Sequence, residues 1–483
     1  MSMDVNLFNF EKHLKELFKY DEFRFPQKEI ILRLLQKKSV LALMPTGAGK
    51  SLTYQYLASL CQNNEIVIVV SPLIALMQDQ TQKALTYGLE TTFINSSLSL
   101  DQKLDRMQKI SEGKYRLIFV APERFRKDEF WVCLKSRDVK AFVVDEAHCV
   151  SLWGHDFRPD YAKLQSFRER LGSPPLLALT ATATDDVQAD IRKQFYLQAE
   201  QDVILGGIER PHLSLNVHDC YSSEDKNEKL LELMNSSGVV YFSLIQTLET
   251  AARFLEKHKI SFQKYHGDLP SDLRKKNQNQ FLSGKVPWIL ATPAFGLGID
   301  KADIRTVIHY EIPSSIEAYF QEVGRAGRDG ELAHGHFLFS EDDLTIQMQF
   351  LNWAYPEKSF IEKVFDLIES RYDIVKVQGF DYLREQMVFK NKKDFRVNAA
   401  VSILNRWGCL EEVDNPFGFA VVRPPIEEDF KLEDQSLLKK EHQKKLLSLL
   451  RYIQNDQQCR LRQVYQYFSY KKDEDCGICD VCR

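Results

Sequence analysis

No stretch of the 483 residues is apolar for anything near the ~18 residues that a membrane-spanning helix needs. The longest such runs, Ile66 to Val70 and Ala141 to Val144, are short and β-branched, as buried strands are. The start, MSMDVNLFNFEKHLKEL, has early acidic residues and no apolar stretch. It does not read as a signal peptide, so a cytoplasmic location is expected, nucleoid-associated in a bacterium, with no membrane partner. An excess of one charge is lacking too. Sixty-four Lys and Arg against 68 Asp and Glu leave a net charge of −4. This excludes a histone-like polycation and confines nucleic-acid binding to local patches. Neither low-complexity segments nor short-period repeats occur. With 44% hydrophobic and 27% charged residues, the chain reads as globular, with about three domains at roughly 150 residues each.

Cysteine is sparse until the end. Cys61, Cys133, Cys149, Cys220 and Cys409 are scattered, as small buried apolar residues are. Cys459, Cys476, Cys479 and Cys482 crowd the last 25 residues as C-x16-C-x2-C-x2-C. Four thiolates so spaced in a reducing compartment point to one tetrahedral structural Zn²⁺ rather than to disulfides.

Between about residues 28 and 345, short apolar runs alternate with amphipathic helical stretches. Residues 40–44, 65–71, 115–121, 140–145 and 175–180 read as parallel strands, and 238–243, 287–292, 304–311 and 334–340 as a second series. This βα alternation predicts an α/β protein with two tandem doubly wound domains, their boundary near Gly206 and Gly207. After Leu351 the pattern becomes helical: Lys358 to Arg371, Phe380 to Val388, and Arg396 to Trp407 ended by Gly408. A hairpin follows, Cys409 to Val413 and Gly418 to Val422. Three helices and a two-stranded wing is a winged-helix order; the alternative is a helical spacer. Glu433 to Ile453 reads as a last long helix, apolar at Leu437, Leu438, Leu446, Leu449, Leu450 and Ile453. The expected divisions are 1–205, 206–350, 351–425 and 426–483.

Met44-Pro-Thr-Gly-Ala-Gly-Lys-Ser51 falls where a strand meets a helix. The backbone N–H groups of Thr46, Gly47, Ala48 and Gly49 can wrap a β-phosphate. Lys50 supplies charge to the β/γ-phosphates and Ser51 a hydroxyl to Mg²⁺. Met44 stands where the general P-loop has glycine. Asp145-Glu-Ala-His148 ends a predicted strand, and a carboxylate there faces the ligand crevice. Asp145 can hold Mg²⁺, and Glu146 can deprotonate the attacking water. Gln321-Glu-Val-Gly-Arg-Ala-Gly-Arg-Asp-Gly330 is expected to put Arg325 and Arg328 on one helical face. Arginine delivered across a cleft to a γ-phosphate is worth roughly 10³–10⁵ in rate.

On these motifs the chain resembles the RecQ family of superfamily 2 DNA helicases, over nearly its whole length. Phe18-Lys-Tyr-Asp-Glu-Phe-Arg-Phe-Pro-Gln27 is similar to the family's adenine-recognising motif, which implies base contacts for Arg24 and Gln27; Lys19 stands where the family has glycine. Ser71 to Gln80, Ala121-Pro-Glu-Arg124 and Thr180-Ala-Thr182 resemble DNA-contacting and coupling motifs. Ala291 to Asp300 and His309 resemble the second lobe's motifs, with Asp300 near ATP. Val150-Ser-Leu-Trp-Gly-His-Asp-Phe-Arg-Pro-Asp-Tyr161 resembles the family's aromatic-rich loop. There Trp153 and Phe157 offer faces for unpaired bases and Arg158 a phosphate contact, beside His155. Starting just after His148, the loop can report DNA occupancy to the ATPase centre. Leu152 replaces the usual glutamine, and Gln246 a frequent basic residue. About 100 residues separate the second lobe from the cysteines, where the family has a short linker.

The resemblance implies an ATP- and Mg²⁺-dependent DNA helicase moving 3′ to 5′ on single-stranded DNA, with forked or duplex DNA and repair or single-strand-binding proteins as partners. The competing readings are an RNA helicase and an ATP-switched DNA-binding scaffold without unwinding.

Overall fold

The computed structural model describes residues 9–45, 47–151, 158, 160–197, 200–295, 301–387, 394–413, 415–432 and 434–483. Expectations placed on Thr46, Leu152, Trp153, His155, Phe157 and Asp300 lie outside the described residues.

The first lobe is a seven-stranded, all-parallel sheet. In spatial order its strands are Thr91–Ile94, Leu117–Val120, Glu65–Val70, Asp138–Val144, Leu176–Thr180, Val40–Leu43 and Val203–Leu205. Helices cover both faces, so the central strands lose water on both sides; Ile66 to Val70 are 0% exposed. Each such side chain contributes about 1.5–3 kcal/mol by burial.

The second lobe repeats the plan with six parallel strands: Phe262–Tyr265, Trp288–Ala291, Gly238–Tyr241, Thr306–His309, Ala333–Phe339 and Leu213–Asp219. Both sheets are thus wider than the sequence pattern foretells. The four additional strands, Thr91–Ile94, Val203–Leu205, Phe262–Tyr265 and Leu213–Asp219, are the four sheet edges. An edge strand is half-covered, so its sequence tolerates Gln263, Lys264, Asn216 and His218 and loses the apolar run that marks a central strand.

Residues 358–421 form a small unit with its own core, built on Ile361, Phe365, Val401 and Leu404. Helices Lys358–Ser370 and Arg396–Arg406 pack on Tyr372–Met387, which is longer than the expected Phe380 to Val388 and is kinked at Gly379 (φ 63°). Strands Leu410–Glu412 and Phe419–Val421 pair antiparallel after Gly408, whose φ of 74° ends the preceding helix. The last long helix runs Gln435–Gln454, with Asp434 accepting from the backbone N–H groups of Ser436 and Leu437. Leu437, expected on its apolar face, is 44% exposed.

The C-terminal cysteine knuckle is not a free appendage. Leu446, Leu449, Tyr452 and Val464 share one core with Tyr319, Phe320 and Phe337 of the second lobe. Ser214 Oγ donates to Ile478 O (2.6 Å), Asp480 N to Leu215 O (3.3 Å), and Val217 N to Asp480 Oδ2 (3.0 Å). The knuckle thereby caps the exposed edge strand Leu213–Asp219. Among the described residues, no helix is long and apolar enough to cross a membrane.

Candidate active site between the lobes

The strand Val40–Leu43 delivers the P-loop, and the helix Lys50–Ser59 leaves it. Met44 is 0% exposed: its side chain fills the core beneath the loop, which explains why the glycine of the general motif is dispensable. Gln27, only 2% exposed, holds the loop's shape. Its Nε2 donates to Ala48 O and Gly49 O (both 3.1 Å), and its Oε1 accepts from Arg24 N (2.9 Å). A Cβ at Gly49 would lie 2.5 Å from Gln27 Nε2, so the close approach requires glycine. Arg24 Nη1 donates to Gly47 O (3.4 Å).

Asp145 follows the strand Asp138–Val144 and is 7% exposed. Burial, then the adjacent Glu146, raise its pKa, while Lys50 opposes them. Glu146 itself stands in left-handed backbone (φ 50°), a strain typical of sites where side-chain aim matters. From Glu146 a polar chain runs inward. His148 Nδ1 lies 3.4 Å from Glu146 Oε2 and 3.1 Å from Thr180 Oγ1, which donates to Thr182 O (3.0 Å).

The second lobe closes the site. One cavity of about 320 Å³ is lined by Lys50, Ser51, Asp145 and Glu146 on one side and by Gln321, Arg325 and Arg328 on the other. Arg325 and Arg328 do not share a helical face, contrary to the sequence expectation. The helix Ile316–Val323 ends at Gly324, and both arginines sit on the turn beyond, where Gly327 has φ 63°. The turn brings Arg328 over the P-loop: a Cβ at Gly47 would lie 3.2 Å from Arg328 Cγ and Cδ. Arg325 is 5% exposed and faces Tyr241. Behind the turn, Glu322 Oε2 pairs with the buried His309 Nε2 at 2.7 Å.

The groups expected to touch DNA divide differently. Ser71, Thr182 and His148 are buried. Arg158 Nη1 donates to Pro72 O (3.1 Å) and its backbone N–H to Cys149 O (2.9 Å), tying the segment after Asp145 to the Ser71-Pro72 turn. The pocket also holds Gln55, Lys83 and Tyr87, which no motif singled out, and Tyr20 and Glu22, which lie within the motif already marked for base recognition. Lys83 and Tyr87 carry no local signal and are brought in by the helix Ile74–Thr86.

At the C-terminus, Cys459, Cys476, Cys479 and Cys482 put their Sγ atoms within 4.8 Å of one another. Cys479 and Cys482 Sγ are 3.3 Å apart, and Cys476 and Cys482 Sγ 4.0 Å. These separations exceed a disulfide's ~2.05 Å and bracket the ~3.8 Å edge of a tetrahedron with ~2.3 Å Zn–S bonds. Backbone N–H groups of Cys476 and Arg460 donate to Cys459 Sγ (3.2 Å) and Cys479 Sγ (3.5 Å), as thiolate ligands require. The cluster fits zinc.

Two parallel-sheet lobes with a P-loop, paired carboxylates and facing arginines define the superfamily 2 helicase class. Family models agree: DEAD/DEAH box helicase over residues 24–190, helicase conserved C-terminal domain over 225–330, and RecQ zinc-binding over 420–483. The chain is 39% identical over 340 residues to the ATP-dependent DNA helicase RecQ of Bacillus subtilis (strain 168), covering 69% of this chain and 56% of that protein. It is 36% identical over 363 residues to the "Probable ATP-dependent DNA helicase RecS" of the same organism, covering 74% of this chain and 72% of that one. The fold resembles that of the Mycobacterium smegmatis helicase Lhr bound to ssDNA and AMP-PNP (TM-score 0.56, 18% identity, 87% of this chain and 61% of that chain). The chain belongs to the RecQ family.

Proposed function

We propose that the chain is an ATP-dependent DNA helicase that translocates 3′ to 5′ on single-stranded DNA and unwinds duplexes in recombination and repair. One observation carries this reading: Arg328 of the second lobe lies over Gly47 of the first, beside Lys50, Asp145 and Glu146 in one cavity. A site assembled from two lobes is sensitive to their separation, so nucleotide turnover and lobe motion become one process.

In this reading Lys50 and the loop amides hold the β/γ-phosphates. Ser51 and Asp145 would hold Mg²⁺, which would supply charge neutralisation at the phosphates. Glu146 takes the proton of the attacking water, with His148 Nδ1 3.4 Å from its Oε2. Gln321, Arg325 and Arg328 stabilise the charge that develops on the γ-phosphate. Arg24 and Gln27 serve the base, with Tyr20 available to stack on it. The chain Glu146–His148–Thr180–Thr182 links this centre to the motifs expected to sense DNA, together with Trp153, His155, Phe157 and Arg158. The divisions 1–205, 206–350, 351–425 and 426–483 are the corresponding parts, and the cytoplasm or nucleoid is the compartment.

The test is strand displacement with ATP on 3′-tailed and 5′-tailed DNA duplexes, alongside RNA duplexes of the same sequences. Displacement confined to the 3′-tailed DNA is expected. Nucleotide-dependent DNA affinity without turnover means an ATP-switched scaffold, and preference for RNA means an RNA helicase.

A further inference from the structure

The linker between the lobes holds a half-buried cation, Arg210, that no motif accounts for. At its near end, Gly206 N donates to Leu43 O (2.7 Å), the last residue of the strand that delivers the P-loop. At its far end, Arg210 Nη1 donates to Gly324 O (2.7 Å), and Nη2 donates to Ala326 O. Carbonyls at a helix C-terminus lack intrahelical partners, and a guanidinium is well suited to bind two of them at once. Gly324 and Ala326 flank Arg325 and lead directly to Arg328. The linker thus fastens the arginine turn at one end and the P-loop strand at the other. Pro45, Gly47 and Ala48, Arg210, and Ala326 and Arg328 all line a second cavity behind the first.

Arg210 is itself held from the C-terminal knuckle. Its backbone N–H donates to Tyr465 Oη (2.9 Å), and Glu209 pairs with Lys472 at 2.9 Å. Tyr465 is 4% exposed and sits on the helix Arg460–Tyr467, which begins at the cluster residue Cys459.

We propose that Arg210 is a positioning residue for the arginine turn, and that Tyr465 makes the placement of that turn depend on the zinc-module helix. The inference rests on the proposed role of Arg328 at the γ-phosphate. Arg210 touches no substrate in this arrangement; it acts on where Arg325 and Arg328 stand when the lobes close. Displacement of a catalytic group by ~1 Å lowers rates by about 10²-fold without removing the binding contacts.

The experiment uses the full chain, with steady-state ATP hydrolysis on saturating oligo(dT), zinc content and thermal unfolding measured for each variant. Arg210→Ala should lower kcat about 10²-fold with KM for ATP nearly unchanged and zinc retained. Arg210→Lys, able to reach one carbonyl, should fall between. Tyr465→Phe, losing a single hydrogen bond, should lower kcat about fivefold. The double variant Arg210→Ala/Arg328→Ala should lose less than the two single losses multiplied together, because both act through the same arginine turn. Additive losses, or a loss expressed in KM, overturn the proposal. Should Arg210→Ala fail to fold, Arg210→Lys carries the same cycle. Wild-type turnover by Arg328→Ala overturns the reading of the site, and this inference with it. Wild-type turnover by the Arg210 variants, with Arg328→Ala inactive, overturns this inference alone. Unchanged kcat in Tyr465→Phe removes the link to the zinc module.

Discussion

The interlobe cleft and the C-terminal knuckle both bury charge, but they treat it in opposite ways. In the knuckle, Arg460 is 3% exposed and saturated: Nη1 donates to Tyr452 O, Ile453 O and Asn455 O, while Nε and Nη2 meet Asp480. Asp480 in turn accepts from Val217 N of the sheet edge. In the cleft, Asp145 and Glu146 are held side by side, one with a raised pKa and the other on strained backbone. Satisfied charge staples a fold together. Charge held at an energetic cost beside a cavity is kept for a ligand.

The comparison predicts that the two regions fail differently, with the largest effect at the knuckle. Structural zinc supplies apparent free energies of roughly 10–16 kcal/mol to small modules. Chelation, or Cys479→Ser, should therefore unfold the knuckle. Because Asp480 and Ile478 bond to the strand Leu213–Asp219, hydrogen exchange should also accelerate at residues 213–219. A zinc-free protein with a protease-resistant C-terminus and unchanged exchange there would contradict the assignment.

Next come changes that cost activity and not stability. Lys50→Ala, Glu146→Gln and Arg328→Ala should each lower DNA-stimulated ATP hydrolysis by about 10³-fold or more. Their melting temperatures should stay close to that of the unmodified chain. Glu146→Gln should still retain ATP in equilibrium binding. A variant from this set that keeps its rate, or that loses it only by unfolding, would erase the contrast between the regions.

Glu311 offers a third case, buried charge away from the cleft. It is 4% exposed, and its Oε2 accepts from Ser243 N (2.8 Å). Burial pushes its pKa from 4.5 up to about 7. With a raised folded-state value, the stability due to protonated Glu311 is complete below 4.5 and is lost as the pH rises through 7. Relative to Glu311→Gln, the native chain should lose about 3 kcal/mol of stability between pH 4.5 and 8. Parallel pH–stability curves for the two proteins would mean that folding leaves the Glu311 pKa at its ordinary value.

The sequence was most informative where burial is most complete. All nine interior strands of the two sheets announce themselves, because being covered on both faces forces mostly apolar runs. The four edges do not. The cysteine cluster is likewise legible from spacing alone, since C-x2-C geometry is local. Arg210 and Tyr465 are not: they meet across 255 positions, and neither stands in a pattern. Lys83 enters the cavity through tertiary packing, which no local signal encodes. The arginine turn was misjudged for a related reason. Gln321 to Val323 do continue a helix, but Gly324 stops it, and a run of small residues beyond serves close approach rather than helical periodicity.

The smallest expected effect tests whether residues 358–421 stand apart from both regions. The charges here pair within the unit or with its immediate continuation, as Arg396–Asp394 (2.7 Å), Arg423–Asp429 (2.7 Å) and Lys358–Glu427 do. Its core is likewise its own. Gly408 ends the helix Arg396–Arg406 at φ 74° and starts the hairpin, and a Cβ there would meet nothing within 4 Å. Replacement by alanine therefore adds backbone strain without a clash. Left-handed backbone disfavours a β-carbon by about 1–2 kcal/mol, slightly offset by alanine's lower chain entropy when unfolded. Gly408→Ala should cost about 1 kcal/mol. That loss should be read as a small drop in the melting of this unit. DNA-stimulated hydrolysis per folded molecule should be unchanged, because none of the described residues of 358–421 lines the cavity. A fall in kcat without a fall in folded fraction would mean that the unit transmits strain to the cleft, and the separation drawn between them would not hold.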